Sequence, residues 1–415
     1  MNGVFSASPR RPLGRAVRLI GCAAAAIAAP AWAQERLAGD VSLSGGISVN
    51  PFQQADSAST PTVGSATLEV RPEWTLLAPL TTVRISGAAR VTEYFSTYPT
   101  NDSYSLNIAG ERRTGENSQL NAELGYSNTV IGSFLRADVP VEAPELPTFL
   151  PGFVDNVALG VAGERQSTYQ GMVGYTDQIG PYDTLAGRVT FSAVRYSDDT
   201  LLEEYDSVTP GISYSRLLDE GFSVGANVDV NLVEYRGQRL GDGYVVTPTL
   251  QVFRTLDSRW SLAASAGVSI ARYDELVGSR SSTGFAGSLS ACRRADRSNI
   301  CLTASRQQTP SSLQGIRNAT SVSFDAGLRL SPRSDLSVIA RYSRSSAPLI
   351  DSVDLGWRDG AVEFLEAGVT YNHRLAERLY GFASGGVIKT YTDDLSRPAN
   401  AELRAGVRYR FGRLG

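Results

Sequence analysis

The feature that most constrains this chain is a side-chain alternation of period two, which returns in segment after segment from about residue 40 to the C-terminus. In the stretch 66–76, Ala66, Leu68, Val70, Pro72, Trp74 and Leu76 fall on one side, and Thr67, Glu69, Arg71, Glu73 and Thr75 on the other. The stretch 222–232 repeats the pattern, with Phe222, Val224, Ala226, Val228, Val230 and Leu232 against Ser223, Gly225, Asn227, Asp229 and Asn231. Successive side chains of a strand point to opposite faces, so each segment makes a strand with one apolar and one polar face. A domain of this length ordinarily shows helical periodicity somewhere. The reading here is all-β.

Alternation alone would also fit a water-soluble sandwich, and the connections decide between the two. Candidate strands can be laid out 18 times between residues 40 and 411. Tight turns follow most even-numbered strands, at 78–80, 114–117, 217–220, 255–259, 332–334 and 375–377. Longer polar loops follow most odd-numbered ones, at 51–65, 95–102, 128–166, 236–243, 274–282 and 346–360. An even count with short turns at one end and long loops at the other is the plan of a transmembrane antiparallel up-and-down β-barrel of 16–18 strands, its short turns periplasmic and its loops extracellular. Segments of about ten residues suit a tilted spanning strand. Closure leaves no unpaired edge in the hydrocarbon layer.

The N-terminus fits export. Arg10, Arg11, Arg15 and Arg18 precede an apolar run over 19–29, and Ala31-Trp32-Ala33 forms an A-x-A cleavage site. These are the three parts of a signal peptide over 1–33, with cleavage at Ala33 and a barrel over 34–415. The apolar run is too short for a membrane anchor. Leu19-Ile-Gly-Cys22 has the look of a lipobox, but Arg18 stands too close before Cys22 and the apolar run continues after it. Cleavage removes four arginines and no acid, so the net charge of −3 becomes −7. Nothing in that balance resembles a nucleic-acid footprint.

Cleavage also leaves two cysteines, Cys292 and Cys301, either side of a predicted turn. In an exported chain such a pair reads as a disulfide, the alternative being two free thiols.

With the apolar phase turned to lipid, the other phase carries Glu69, Arg71, Glu73, Arg84, Arg90, Glu123, Arg188, Asp229, Asp325, Arg329, Arg404 and Arg408. Crowded into a dry core these charges would be costly, whereas lining water they are cheap. A wet channel is expected, against the alternative of a lumen closed by paired charges, because a barrel this wide holds an aqueous passage. Tyrosines recur where ascending strands meet loops, as Tyr94, Tyr196, Tyr235, Tyr273 and Tyr342. They read as an interfacial girdle, although most fall in the polar phase, which would turn some inward at the rim.

Near the C-terminus Val407-Arg-Tyr409-Arg-Phe411 closes the last alternating strand. It resembles the terminal signature of outer-membrane barrels, with the tail Gly412-Arg-Leu-Gly415 as a departure, since that pattern usually ends on the aromatic. The resemblance implies that Tyr409 and Phe411 are read by the barrel-assembly machinery. Over the whole mature chain the pattern resembles the outer-membrane β-barrel porins of proteobacteria, some of them encoded beside exopolysaccharide loci. This implies a bacterial outer-membrane location, lipid and lipopolysaccharide as surroundings, a hydrophilic solute, and further copies of the chain as candidate partners. Loop 128–166 resembles in position and length the third loop of general porins, which folds inward. Its Arg136, Asp138, Glu142, Glu145 and Asp155 are then constriction residues, unless the loop packs over the outer rim.

Enzyme readings are poor. The one histidine, His373, falls at the periplasmic end of its strand, whereas barrel hydrolases work at the other end. Asp351, Asp354 and Asp359, or Asp393 and Asp394, have the spacing of solvated loops more than of a calcium site. No cofactor, metal or catalytic residue is expected. Two functions remain in view: a porin-like conduit for hydrophilic solutes, saccharide or exported polysaccharide among them, and a non-conducting scaffold barrel of an envelope or secretion assembly.

Overall fold

The computed structural model describes residues 34–52, 62–96, 98–130, 165–197, 202–237, 241–275, 278–312, 315–346, 361–392 and 398–412. Its first six strands are β1 (Gln34–Val49), β2 (Thr62–Ala78), β3 (Thr81–Tyr94), β4 (Asn101–Arg113), β5 (Ser118–Val130) and β6 (Arg165–Gln178). Next come β7 (Asp183–Tyr196), β8 (Tyr205–Asp219), β9 (Phe222–Tyr235), β10 (Gly243–Thr255), β11 (Trp260–Glu275) and β12 (Gly278–Ala295). The last are β13 (Ser298–Ser311), β14 (Gly315–Ser331), β15 (Ser334–Ser345), β16 (Val362–Arg374), β17 (Leu379–Thr392) and β18 (Asn400–Gly412). Each strand pairs antiparallel with its neighbours in sequence, and β1 pairs with both β2 and β18, which closes the 18-stranded sheet on itself.

Closure gives every strand two partners, so the ladder hydrogen bonds are made within the protein and the wall has no edge. The register then fixes which side chains share a face. Leu43 stands between Val407 and Leu68, while Asp40 stands between Arg410 and Arg71. Large apolar side chains of the first phase are exposed, with Leu43 at 58%, Leu250 at 70% and Leu403 at 61%. No water-soluble barrel would present so many on its outside. This is a transmembrane β-barrel of the outer-membrane type. Among the described residues no helix is long and apolar enough to cross a membrane, so the strands do the crossing.

The turn end is built as expected, with connections of two to four residues from 79–80 to 375–378. At 220–221, Gly221 has φ +80°, a conformation that costs glycine least, where a bulge at Leu217/Asp219 ends β8. The loop end differs in one place. Residues 274–282 do not form a long loop, because β11 runs to Glu275 and β12 starts at Gly278. On the β12 side Gly278, Ser279, Ser281 and Ser282 occupy both phases, so no alternation marks a strand that rises beyond the apolar belt.

Candidate functional site: the inner wall and its mouth

All twelve charged residues singled out above lie in the phase opposite the exposed apolar side chains. The barrel brings most of them into contact with a partner. Glu69 on β2 has only 7% of its side chain exposed, with Arg71 Nη2 at 2.6 Å and Arg90 Nη2 at 3.3 Å. Such a carboxylate is tolerable because two guanidiniums offset its desolvation. Glu73 and Arg84 sit 3.3 Å apart nearer the turn end, where solvent weakens the pair. Arg404 bonds Glu402 at 2.9 Å. Arg408 donates to Asn372 at 3.2 Å and lies over the Phe382 ring.

Elsewhere Arg188 grips Asp229 through Nη2 at 2.9 and 3.0 Å, and Asn107 donates to Glu123 at 2.9 Å. Asp325 lies 4.0 Å from Arg341, which also reaches Glu366 at 3.6 Å. Arg329 stands near the turn end, opposite Asp335. Asp40, Arg341, Glu366, Glu402 and Arg410 share this face and were not among the twelve. Arg410 bonds Asp40 at 3.0 Å across the β1–β18 seam. Their place in the polar phase of their own strands was the available signal.

The wall from β10 to β13 has another character. Many of its inward side chains are short hydroxyls, linked across strands by Thr247–Ser269 at 3.1 Å, Ser265–Ser288 at 2.8 Å, Ser290–Thr303 at 3.3 Å and, on to β14, Ser305–Ser321 at 2.8 Å. Hydroxyls both donate and accept, so this sector can trade partners with water or solute at little cost. Cys292 and Cys301 are cross-strand partners on the same face near the turn end, joined by a disulfide.

At the loop end the tip formed by Ser311, Ser312, Gly315 and Ile316 folds into the lumen. Ile316, 1% exposed, packs with Val245, Ala271 and Tyr273 of β10 and β11. From the other side, the Glu203 N–H donates to the Ser312 carbonyl at 2.7 Å and the Tyr196 hydroxyl to Ser312 Oγ at 2.8 Å. The Ser311 N–H donates to the Tyr235 hydroxyl at 3.4 Å. The tip therefore bridges to β7–β9 over the mouth of the hydroxyl sector. Tyr94, Tyr235 and Tyr273 are buried in the inward phase, and Tyr196 faces the same way. That corrects the girdle reading for these four, whereas Tyr342 does face outward. Tyr94 packs instead with Phe52 and with Tyr98, whose hydroxyl pKa is raised by burial in the loop between β3 and β4. Outward aromatics such as Tyr104, Tyr169, Tyr371 and Tyr409 occupy the lipid face.

Tyr409 and Phe411 both lie in the outward phase of β18, against β1. His373 is outward at the turn end, with Nδ1 2.8 Å from Ser334 Oγ. Arg136, Asp138, Glu142, Glu145 and Asp155 of the expected constriction loop lie outside the described residues, as do Ala33, Asp351, Asp354, Asp359, Asp393 and Asp394. Among the described residues no group of three or more histidine, cysteine or acidic side chains is placed to hold a metal.

No protein-family model matches the chain, and no curated protein matches it in sequence. Solved structures similar to it include Pseudomonas aeruginosa OpdQ, at 10% identity over 92% of this chain and 98% of that one, with a TM-score of 0.43. Pseudomonas aeruginosa OccK2 (OpdF), solved in complex with glucuronate, is 12% identical over 92% and 99%, with a TM-score of 0.45. A BenF-like porin from Pseudomonas fluorescens is 11% identical over 92% and 99%, with a TM-score of 0.44. Any functional reading stands on this chain's own residues. The closed wall with its lipid-facing apolar phase makes the protein an integral component of the bacterial outer membrane.

Proposed function

We propose that this barrel is a passive channel for hydrophilic solutes, saccharides and exported polysaccharide among them. The observation that carries the reading is the inner face: charged pairs over most of the wall and a hydroxyl sector over β10–β13, neither of which would suit a dry core. An 18-stranded barrel is wide enough for an aqueous path. The twelve charged residues then line the pore, and the infolded β13–β14 tip narrows its mouth. The conductance of the purified full chain in planar bilayers tests this, with and without added oligosaccharides. Discrete channels that oligosaccharides block support the reading, and a barrel that inserts without conducting overturns it.

One observation favours a second reading. The tip tied to β7–β9 covers part of the mouth, which suits a non-conducting scaffold barrel of an envelope or polysaccharide-secretion assembly. A silent bilayer would select it. Either way the chain is taken to be exported and cut after Ala33. N-terminal sequencing of protein from outer membranes would then start at Gln34, and any other first residue refutes that site.

A further inference from the structure

The lipid-facing side of β15–β18 and β1 is not uniformly convex. Ala340, Ala367, Gly385 and Ala401 form the floor of a groove of about 600 Å³, with larger side chains such as Leu403 along it. The four lie in two adjacent rows of the register, Ala340–Ala367–Val387–Ala401 and Val338–Val369–Gly385–Leu403. One row nearer the loop end, on the same face, stands Lys389, level with Leu365 and Tyr342. The next row holds Arg344, Glu363 and Tyr391.

Lys389 is the only lysine of the chain. Its ammonium lies 4.5 Å from the centroid of the Tyr391 ring. Arg344 is offset by Glu363 at 3.5 Å, whereas among the described residues Lys389 has no carboxylate partner within salt-bridge distance. A cation on the lipid-facing phase is costly at the bilayer midplane and cheap at the interface, where it meets anionic headgroups. Tyr342 and Tyr391 beside it are the aromatic markers of that interface.

We propose that this groove and Lys389 together form a binding site for one phosphorylated glycolipid of the outer leaflet, lipopolysaccharide held through its lipid A. The acyl chain fills the apolar groove, and a lipid A phosphate takes the ammonium at its mouth. The charge complementarity and the vertical order of the site, with the cation toward the loop end, match a lipid of the outer leaflet. A second barrel copy would leave Lys389 facing an apolar wall.

Native mass spectrometry of the full chain, titrated with lipid A, tests the site. Lys389→Gln is expected to weaken binding about fivefold, the equivalent of about 1 kcal/mol for one cation at a charged lipid surface. Ala367→Phe, which fills the groove from the lipid side, weakens it comparably, and Lys389→Arg retains it. Dephosphorylated lipid A binds wild type and Lys389→Gln alike. Heat-modifiable gel mobility confirms that each variant is folded. The proposal is overturned by wild-type affinity in both weakened variants, by dephosphorylated lipid A binding wild type as tightly as lipid A, or by phosphatidylglycerol displacing lipid A mole for mole.

Discussion

Ile316→Ala probes whether the infolded tip controls the mouth. The Ile316 side chain is almost wholly buried against Val245, Ala271 and Tyr273. Truncating a buried isoleucine to alanine costs about 2–5 kcal/mol. The barrel is held by ladders on both sides of every strand and tolerates that loss. The tip is less secured: beyond its own two strands its anchors include three hydrogen bonds, to Glu203, Tyr196 and Tyr235, each worth about 1 kcal/mol net. Losing the apolar anchor therefore removes a term comparable to all three together. The equilibrium between a docked and an undocked tip shifts toward undocked by roughly 30-fold to several thousandfold. In planar bilayers the variant is expected to show a larger mean conductance with long-lived open events, while its thermal denaturation remains close to wild type. Adding Tyr235→Phe should extend the effect. Conductance and open-state noise identical to wild type would show that the tip does not limit the passage.

Further consequences can be checked separately. Glu69→Gln leaves Arg71 and Arg90 facing each other without their shared carboxylate, which shifts the reversal potential in a potassium chloride gradient toward anion selectivity and destabilises the barrel by about 1.5–3 kcal/mol in urea; an unchanged reversal potential would place Glu69 off the ion path. Asp257 accepts backbone N–H bonds from Arg259 at 2.7 Å and Trp260 at 2.8 Å, which hold its carboxyl below the usual carboxylate range. A depressed value means that the turn gains its support above the ordinary aspartate pKa and loses it as pH falls through the lowered one. Asp257→Ala should therefore speed amide exchange at Arg259 and Trp260 at neutral pH, the gap closing in acid; equal exchange at neutral pH refutes this. Cys292→Ser, in a hairpin whose bridged cysteines are 9 residues apart, should cost at most about 2–3 kcal/mol and expose Cys301 to a thiol reagent without prior reduction. Absence of labelling in that variant would argue against the bridge.

The wall was legible in the sequence because the bilayer enforces it. Each position between the two interfaces faces either hydrocarbon or the lumen, so Leu68 and Glu69 cannot exchange phases without penalty, and the alternation survives across the whole span. Above the belt that pressure ends. The strand ends around 274–282 read as a loop because Asp274 and Glu275 close one strand, and Gly278, Ser279, Ser281 and Ser282, which suit either face, open the next. The infolded tip was hidden for a related reason: Gln307-Gln-Thr-Pro-Ser-Ser-Leu-Gln-Gly-Ile316 has the composition of a solvated loop. Only its tertiary partners, the inward Tyr196, Tyr235 and Tyr273, reveal that it is docked. Their polar phase was visible, but not what they held. The ion pairs were likewise legible only as a population of charges, since Asp40 and Arg410 stand 370 residues apart and meet through closure alone.

That seam has a temporal consequence. β1 can complete its pairing only with β18, the eighteenth strand of the wall, and at the loop end two amides clasp the join: Asn50 Nδ2 donates to the Pro398 carbonyl at 3.1 Å and Asn400 Nδ2 to the Pro51 carbonyl at 3.0 Å. Until β18 is in place, β1 has one raw margin and β17 another. Such a chain cannot be finished piecemeal from its beginning. The wall closes only when β18 meets β1, so that one pairing times the completion of the barrel.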